Sequence, residues 1–418
     1  MLSWEKSSSV ASMKRERAWV EIDLAALADN VRQLKRLLLP ATELMTVVKA
    51  DAYGHGAVTI AQTALQCGAT WLGVATIPEG IELREAGITA PILLLGATNT
   101  PEQIRAIARW QLQPTLGTPK QALVCAETLN QSTHRSPFPV HLKLDTGMSR
   151  LGAPWQQSAE FVQLVQRLPQ LQIASLYSHL ATADDPNEAV MRQQQARFNR
   201  AIAQIRSAGI PLPRLHLANS AATLADADLH YDLVRVGLAT YGLHPAPHLQ
   251  SKINLKPVLQ VKARVTQVKT LQPGTGVSYG YQFIADRQMP LAVVGIGYAD
   301  GVPRNLSNRI DVLIRGQRVR QVGSITMDQL MLDVTNLPDL QEGEIVTLLG
   351  QDGKEQISTE DWATLLNTIS WEILCSFKHR LPRLTVNQPI PPQISQVKES
   401  VLPHLEPETV ARSNSLDS

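Results

Sequence analysis

Cysteine is scarce in this chain of 418 residues: Cys67, Cys125 and Cys375 stand far apart. There is no C-x-x-C pair and no Cys/His cluster with the spacing of a metal site, so no metal is expected. A sparse, odd count also argues against a disulfide scaffold and for a reducing compartment, hence a cytoplasmic location. Excess charge is missing too. The net charge is +2 and the basic residues are scattered, which excludes the polycationic stripe of a nucleic-acid binder. No apolar run approaches the ~18 residues of a membrane span, so no membrane partner is expected. The opening "MLSWEKSSSVASMKRER" has no apolar stretch of the kind a secretory signal needs. Residues 1–16 read as a flexible extension, with Met13 as an alternative start. Residues 387–418 are rich in proline and polar groups and read as a disordered tail.

What remains changes character once. Up to Pro245, short β-rich apolar runs alternate with helical patterns. One helix is plain: Asp23 can cap, and Leu24, Leu27, Val31, Leu34 and Leu38 recur at three and four. Strands are expected at 44–48, 71–74, 92–95, 112–116, 140–145, 173–178, 215–218 and 233–236. These strand–helix units predict a (β/α)8 barrel of the TIM type over 17–245, with an open doubly wound sheet as the alternative. After Pro245 the period becomes two. In "VLQVKARVTQV", Leu259, Val261, Ala263 and Val265 alternate with polar residues. Residues 246–386 therefore read as a mainly antiparallel β domain.

Chemistry in a barrel sits at the C-terminal strand ends. Polar groups gather there: Lys49, Lys143 with Asp145, His179, Asn219 with Ser220, and Arg235 with Gly237. A lone lysine past a strand is commonly just solvated. Near apolar walls and other cations its pKa falls, and it becomes a candidate Schiff-base nucleophile. The segments after the last two strands, "ANS" and "RVGLATYG", offer the Ser220 hydroxyl and a backbone nest at Gly237 and Leu238. An amine, an arginine and a phosphate cradle together suggest pyridoxal phosphate.

The motifs "VVKADAYGHG", "HLKLDTGMSRLG", "SHLATAD", "HLANSAA", "VRVGLATYGL", "GTGVSYG", "GIGYADG", "GSITMDQ" and "EILCSFKHRLPR" follow one another from Val47 to Arg383. In this order they resemble the motifs of bacterial alanine racemases, a fold-type III pyridoxal 5′-phosphate family. The resemblance implies a barrel plus a β domain, and a head-to-tail homodimer with shared active sites. It also implies that the first strand, near "AWVEIDL", joins the β domain, a point the local pattern does not carry.

The resemblance implies roles as well. Lys49 matches the lysine of the internal aldimine, and its freed amine is one base. Tyr279 matches the tyrosine that a second subunit brings to the opposite face. Free tyrosine ionises near ~10, so such a base needs cations nearby. Arg235 matches the arginine facing the pyridine nitrogen. Being only a donor, it leaves that nitrogen unprotonated, which weakens the electron sink and disfavours transamination. His179 resembles the histidine that supports this arginine and packs by the ring. Arg150 matches an arginine near both the cofactor's phenolate and the substrate. Lys143 matches a lysine often carbamylated in the family, which would turn a cation beside Arg150 into an anion. Tyr53, Asn219, Ser220, Gly237 and Leu238 are implied as cofactor contacts. Met327 and Asp328 are implied as the substrate-pocket segment of the second subunit. Trp371 stands where the family usually has a phosphate-binding tyrosine; its indole can donate one hydrogen bond but accept none.

The expected function is interconversion of L-alanine and D-alanine by a two-base proton transfer, supplying D-alanine for peptidoglycan. A broad-specificity, serine-type racemase and a non-catalytic pyridoxal phosphate carrier are the alternatives. A decarboxylase of this fold would need a reactive cysteine; Cys375 lies in the apolar "EILC" and is expected in the core.

Overall fold

A computed structural model describes residues 17–131 and 137–388 of the chain. The extension expected at 1–16 and nearly all of the tail expected at 387–418 lie outside the described residues.

Threonine and proline set the rhythm of the first half. Helices Ile77–Glu85, Pro101–Arg109 and Pro119–Asn130 each begin at a threonine, Thr76, Thr100 or Thr118, with proline in the first two helical positions. The threonine hydroxyl can satisfy an orphan N–H, and proline gives up an N–H that would have no partner there. Thr100 Oγ1 accepts from Gln103 N at 3.3 Å, and Gln103 Oε1 accepts from Thr100 N at 3.2 Å. The first helix, α1 (Leu24–Leu37), follows strand β1 (Ala18–Asp23) and is capped as expected, with Asp23 Oδ1 accepting from Ala26 N at 2.8 Å.

Each of the eight expected strands is present: β2 (Glu43–Val47), β3 (Trp71–Val74), β4 (Ile92–Ala97), β5 (Gln113–Leu116), β6 (Phe138–Asp145), β7 (Leu171–Tyr177), β8 (Arg214–His216) and β9 (Leu233–Val236). They run parallel in one sheet, ordered β9-β2-β3-β4-β5-β6-β7-β8. The gap between β8 and β9 is bridged by Asp232 N to Leu215 O and Arg235 N to Ala218 O, both 3.0 Å. The sheet therefore curls into a nearly closed barrel, and the open-sheet alternative falls.

The second sheet is mainly antiparallel. Its spine is β10 (Leu259–Leu271), whose first half alternates between buried and half-buried residues as the sequence pattern requires. Strand β1 pairs with it antiparallel, Val20 opposite Val261, and runs parallel to the last strand, β11 (Arg383–Val386). The first described strand thus leads into the barrel from the β domain. Among the described residues no helix is long and apolar enough to cross a membrane, and no group of His, Cys, Asp and Glu could hold a metal ion.

Candidate active site

The backbone does something unusual just past β2. Ala50, Asp51, Ala52 and Tyr53 all lie in the left-handed region, with φ between 52° and 54°. Each non-glycine residue there costs about 1–2 kcal/mol, so neighbours must hold the turn. They do: Glu79 Oε1 accepts from Ala50 N and Asp51 Oδ1 from Ala57 N, both at 2.8 Å, while Arg383 Nε donates to Gly54 O at 3.0 Å. The turn carries Lys49 at its head and Tyr53 at its end into one cavity of about 510 Å3 at the barrel mouth.

Lys143, Arg150, His179, Asn219, Ser220 and Arg235 line the same cavity, as do Gly237, Leu238 and Trp371. Burial, and then the charge of Arg150, lower the Lys49 amine below its ordinary pKa. Lys143 falls to about 8, through burial first and then Arg235 and Arg150. An uncharged, nucleophilic amine at this mouth thus has a physical cause.

Arg235 is the most constrained group. It is buried, Nη2 donates to Ser178 O at 2.7 Å and Leu217 O at 3.0 Å, and its guanidinium lies 5.1 Å from the Tyr177 ring centre. Two histidines meet it: Nη2 with His179 Nδ1 at 3.1 Å, and Nη1 with His216 Nδ1 at 2.9 Å. Burial lowers Arg235 to about 10, which still leaves it charged at neutral pH. The sequence reading found His179 and missed His216. The signal was there: His216 is a buried polar residue that closes β8, two residues before the expected strand end at Ala218.

Two expectations change in detail. The nest at Gly237 and Leu238 is half engaged, because Gly237 N donates to Ser220 Oγ at 3.1 Å. Asn219 uses its side-chain oxygen to cap helix Ser220–Ala225, accepting from Ala222 N at 3.0 Å. A third is corrected: Cys375 is not sealed in the core but half-buried in the cavity wall, where burial raises its thiol. Helix Ser370–Ser376, which carries it, packs on the left-handed turn and so faces the mouth.

Tyr279, Met327 and Asp328 do not line this cavity. They sit on the β domain, where Tyr279 is 71% and Met327 53% exposed. Their loops are joined: Ser278 Oγ donates to Ser324 O at 2.7 Å, and Ser324 Oγ donates to Tyr279 O at 2.8 Å. Behind Met327, a Cβ at Gly297 would come within 2.3 Å of Thr326 O, so only glycine allows that approach. Asp328 pairs with Arg380, which also reaches the buried Asp300 at 3.5 Å. Arg17 holds Asp300 by two bonds of 2.7 and 2.6 Å.

Residues 22–245 match the family model "Alanine racemase, N-terminal domain", and 258–385 match "Alanine racemase, C-terminal domain". An alanine racemase of Nostoc sp. is 72% identical over 371 residues, covering 89% of this chain and 96% of that protein. One of Synechocystis sp. is 66% identical over 374 residues, covering 90% of this chain and 100% of that protein. The crystal structure of a Bacillus anthracis alanine racemase with bound L-Ala-P superposes with a TM-score of 0.83 at 35% identity, covering 89% of this chain and 95% of that one. With both family models matched across most of the chain and relatives this similar, the chain belongs to the alanine racemase family.

Proposed function

We propose that this protein interconverts L-alanine and D-alanine, using pyridoxal 5′-phosphate held at the barrel mouth, with Lys49 and the partner subunit's Tyr279 as the two bases. The observation that carries the reading is the pairing of a burial-lowered Lys49 amine with an immobilised, donor-only Arg235 in one cavity. The names of the relatives support the choice of alanine.

The residues present fit the cofactor. Ser220 Oγ accepts from Gly237 N at 3.1 Å and Ala239 N at 3.4 Å, so its own hydrogen is left for a phosphate oxygen. A Cβ at Gly237 would lie 2.7 Å from Tyr53 Oη and fill the cradle. Burial raises the Tyr53 phenol above its ordinary range, which keeps it a donor. Lys49 would hold the cofactor covalently. Ser220, Tyr53, the Leu238 backbone and the Trp371 indole would hold its phosphate. Arg235 would face the ring nitrogen, with His179 beside the ring and Arg150 at the phenolate.

Pyridoxal phosphate, when bound, supplies an electron-accepting ring that makes the α-hydrogen of the amino acid acidic. The rest is proton placement by the chain. Lys49 Nζ takes or returns the proton on one face, its burial raising the uncharged fraction that can do so. The partner subunit's Tyr279 serves the other face through its Oη. Arg235 would give the ring nitrogen a hydrogen bond but no proton, which would temper the ring's pull and disfavour transamination. Arg150 and the backbone N–H of the partner subunit's Met327 would orient the substrate carboxylate, with the partner subunit's Asp328 in the same pocket segment.

The exposure of Tyr279 and Met327 supports a shared-site homodimer, since neither reaches the cavity of its own chain. Supplying D-alanine for peptidoglycan, in the cytoplasm, is the cellular role we infer.

The test is direct. The purified protein is expected to show a band near ~420 nm that borohydride fixes to Lys49. It is also expected to racemise alanine faster than other amino acids. A protein that binds no pyridoxal phosphate, or a Tyr279→Phe variant as fast as wild type, overturns the reading.

A further inference from the structure

The interior of a (β/α)8 barrel is normally filled by branched apolar side chains. Here a polar thread runs down it. From Arg235, the next group is His216, whose Nε2 lies 2.7 Å from Ser175 Oγ. Ser175 Oγ lies 2.6 Å from His141 Nδ1, and His141 Nε2 lies 2.7 Å from Gln113 Oε1. The residues come from β9, β8, β7, β6 and β5, five successive strands of the ring. His216, Ser175 and His141 are at most 1% exposed.

The donor-only Arg235 fixes the sense of every bond along the thread. Arginine has donors only, so His216 Nδ1 must be the bare, accepting nitrogen. A neutral imidazole then carries its hydrogen on Nε2, which donates to Ser175 Oγ. The single hydroxyl hydrogen of Ser175 goes on to His141 Nδ1, and His141 Nε2–H donates to the Gln113 carbonyl. The reverse sense would put His216 Nδ1–H against the guanidinium, so that two donors would face each other at 2.9 Å. Both rings are neutral: burial lowers His216 well below its ordinary value and His141 to about 3.

We propose that Ser175, His141 and Gln113 are positioning residues, a one-way relay that sets the tautomer of His216 and through it the aim of Arg235 into the cavity. None of the three lines the cavity, so each acts through another group. An apolar filling would serve packing alone. Only an ordered donor–acceptor chain specifies which nitrogen of His216 meets Arg235. The Tyr177 ring, stacked 4.6 Å from His216 at 7°, and Thr115, 2.7 Å from Tyr177 Oη, fix the plane of His216 but not its tautomer.

The kinetic part of the test rests on the proposed racemase reading; the tautomer part does not. In holoenzyme labelled with 15N-histidine, NMR is expected to show His216 and His141 both neutral with the hydrogen on Nε2, the signals assigned with His141→Gln. Gln113 is half-buried at the start of its strand, so its variants should fold. Gln113→Glu keeps an acceptor at the end of the chain and is expected to preserve the tautomers and kcat. Gln113→Lys offers only a donor. It is expected to disturb the His216 signals and lower kcat for alanine roughly tenfold with little change in KM, as loss of an outer hydrogen-bond partner commonly does. Gln113→Met serves as the packing control and is expected to lose less than Gln113→Lys. A wild-type His216 carrying its hydrogen on Nδ1, or equal losses in Gln113→Lys and Gln113→Met with the His216 signals unmoved, overturns the proposal.

Discussion

Lys143 is a cation in a corner that already holds Arg150 and Arg235. Its amine falls to about 8, so part of it is uncharged at neutral pH and can attack carbon dioxide. The new N–C bond forms as one amine proton leaves, and the resulting carbamate is an anion facing two arginines. We expect holoenzyme equilibrated with 13C-bicarbonate to show one protected carbamate carbon signal, absent from Lys143→Met. No such signal would leave Lys143 an ordinary amine. The groups at the mouth were legible because a reactive residue at a strand end breaks an apolar pattern: Lys49, Lys143 and Arg235 all announce themselves that way. The thread beneath them was not found, although it also leaves a trace. His141, Ser175 and His216 are buried polar residues in barrel strands, with His141 two positions before Lys143 and Ser175 two before Tyr177. The period of two that identifies a strand also assigns these side chains to the barrel interior. His141 and Ser175 lie inside their strands, and His216 lies inside the run expected at 215–218, so none of them falls at an expected strand end.

At the scale of an element, the left-handed turn after β2 is the strained piece. Ala50 is exposed, and its N–H bond to Glu79 needs no side chain. Ala50→Gly removes the left-handed penalty of about 1–2 kcal/mol and adds roughly half to one of chain entropy. We expect a net gain of about 0.5–1 kcal/mol, read as a higher urea midpoint. A lower midpoint would mean that the turn is not strained at this residue. Nothing local foretells this turn, since Ala-Asp-Ala-Tyr favours the ordinary right-handed form. Tertiary bonds from Glu79 and Arg383 override the preference. The barrel strands, by contrast, were readable to within about three residues, because burial on both faces forces continuous β-rich apolar runs. The place of β1 was not readable from its pattern: a buried strand looks alike in either sheet, and only the ladders to Val261 and Arg383 decide.

For the whole molecule, acid is the exposed weakness. His55, held by Ala52 O and Tyr53 O, is lowered by burial to about 4, His141 to about 3, and His179 and His216 well below the ordinary value. In the unfolded chain these rings protonate near ~6.5 while the folded ones stay neutral. The unfolded state then binds more protons. Their stabilisation is complete above ~6.5, shrinks as pH falls, and is lost through the folded values. His55 alone accounts for on the order of 3 kcal/mol. The urea midpoint of the holoenzyme should fall steadily from pH ~6.5 to ~4.5, and a flat profile would refute this.

Mixing subunits tests the proposed shared site. Lys49→Ala and Tyr279→Phe proteins, each inactive alone, should regain about a quarter of wild-type activity when unfolded and refolded together, because half the dimers would carry one intact site. No recovery would assign both groups to one chain.

The two serines that tie the loops of Tyr279 and Met327 together bear on the proposed dimer as well. On the proposed reading, a subunit would deliver its proton-transfer group and its share of the carboxylate contact on one hydrogen-bonded hook. Separation of the proposed dimer would then withdraw both at once and leave Arg150 alone in the cavity. On dilution, activity should track the dimer fraction in proportion, with KM unchanged, so that turnover counts assembled pairs.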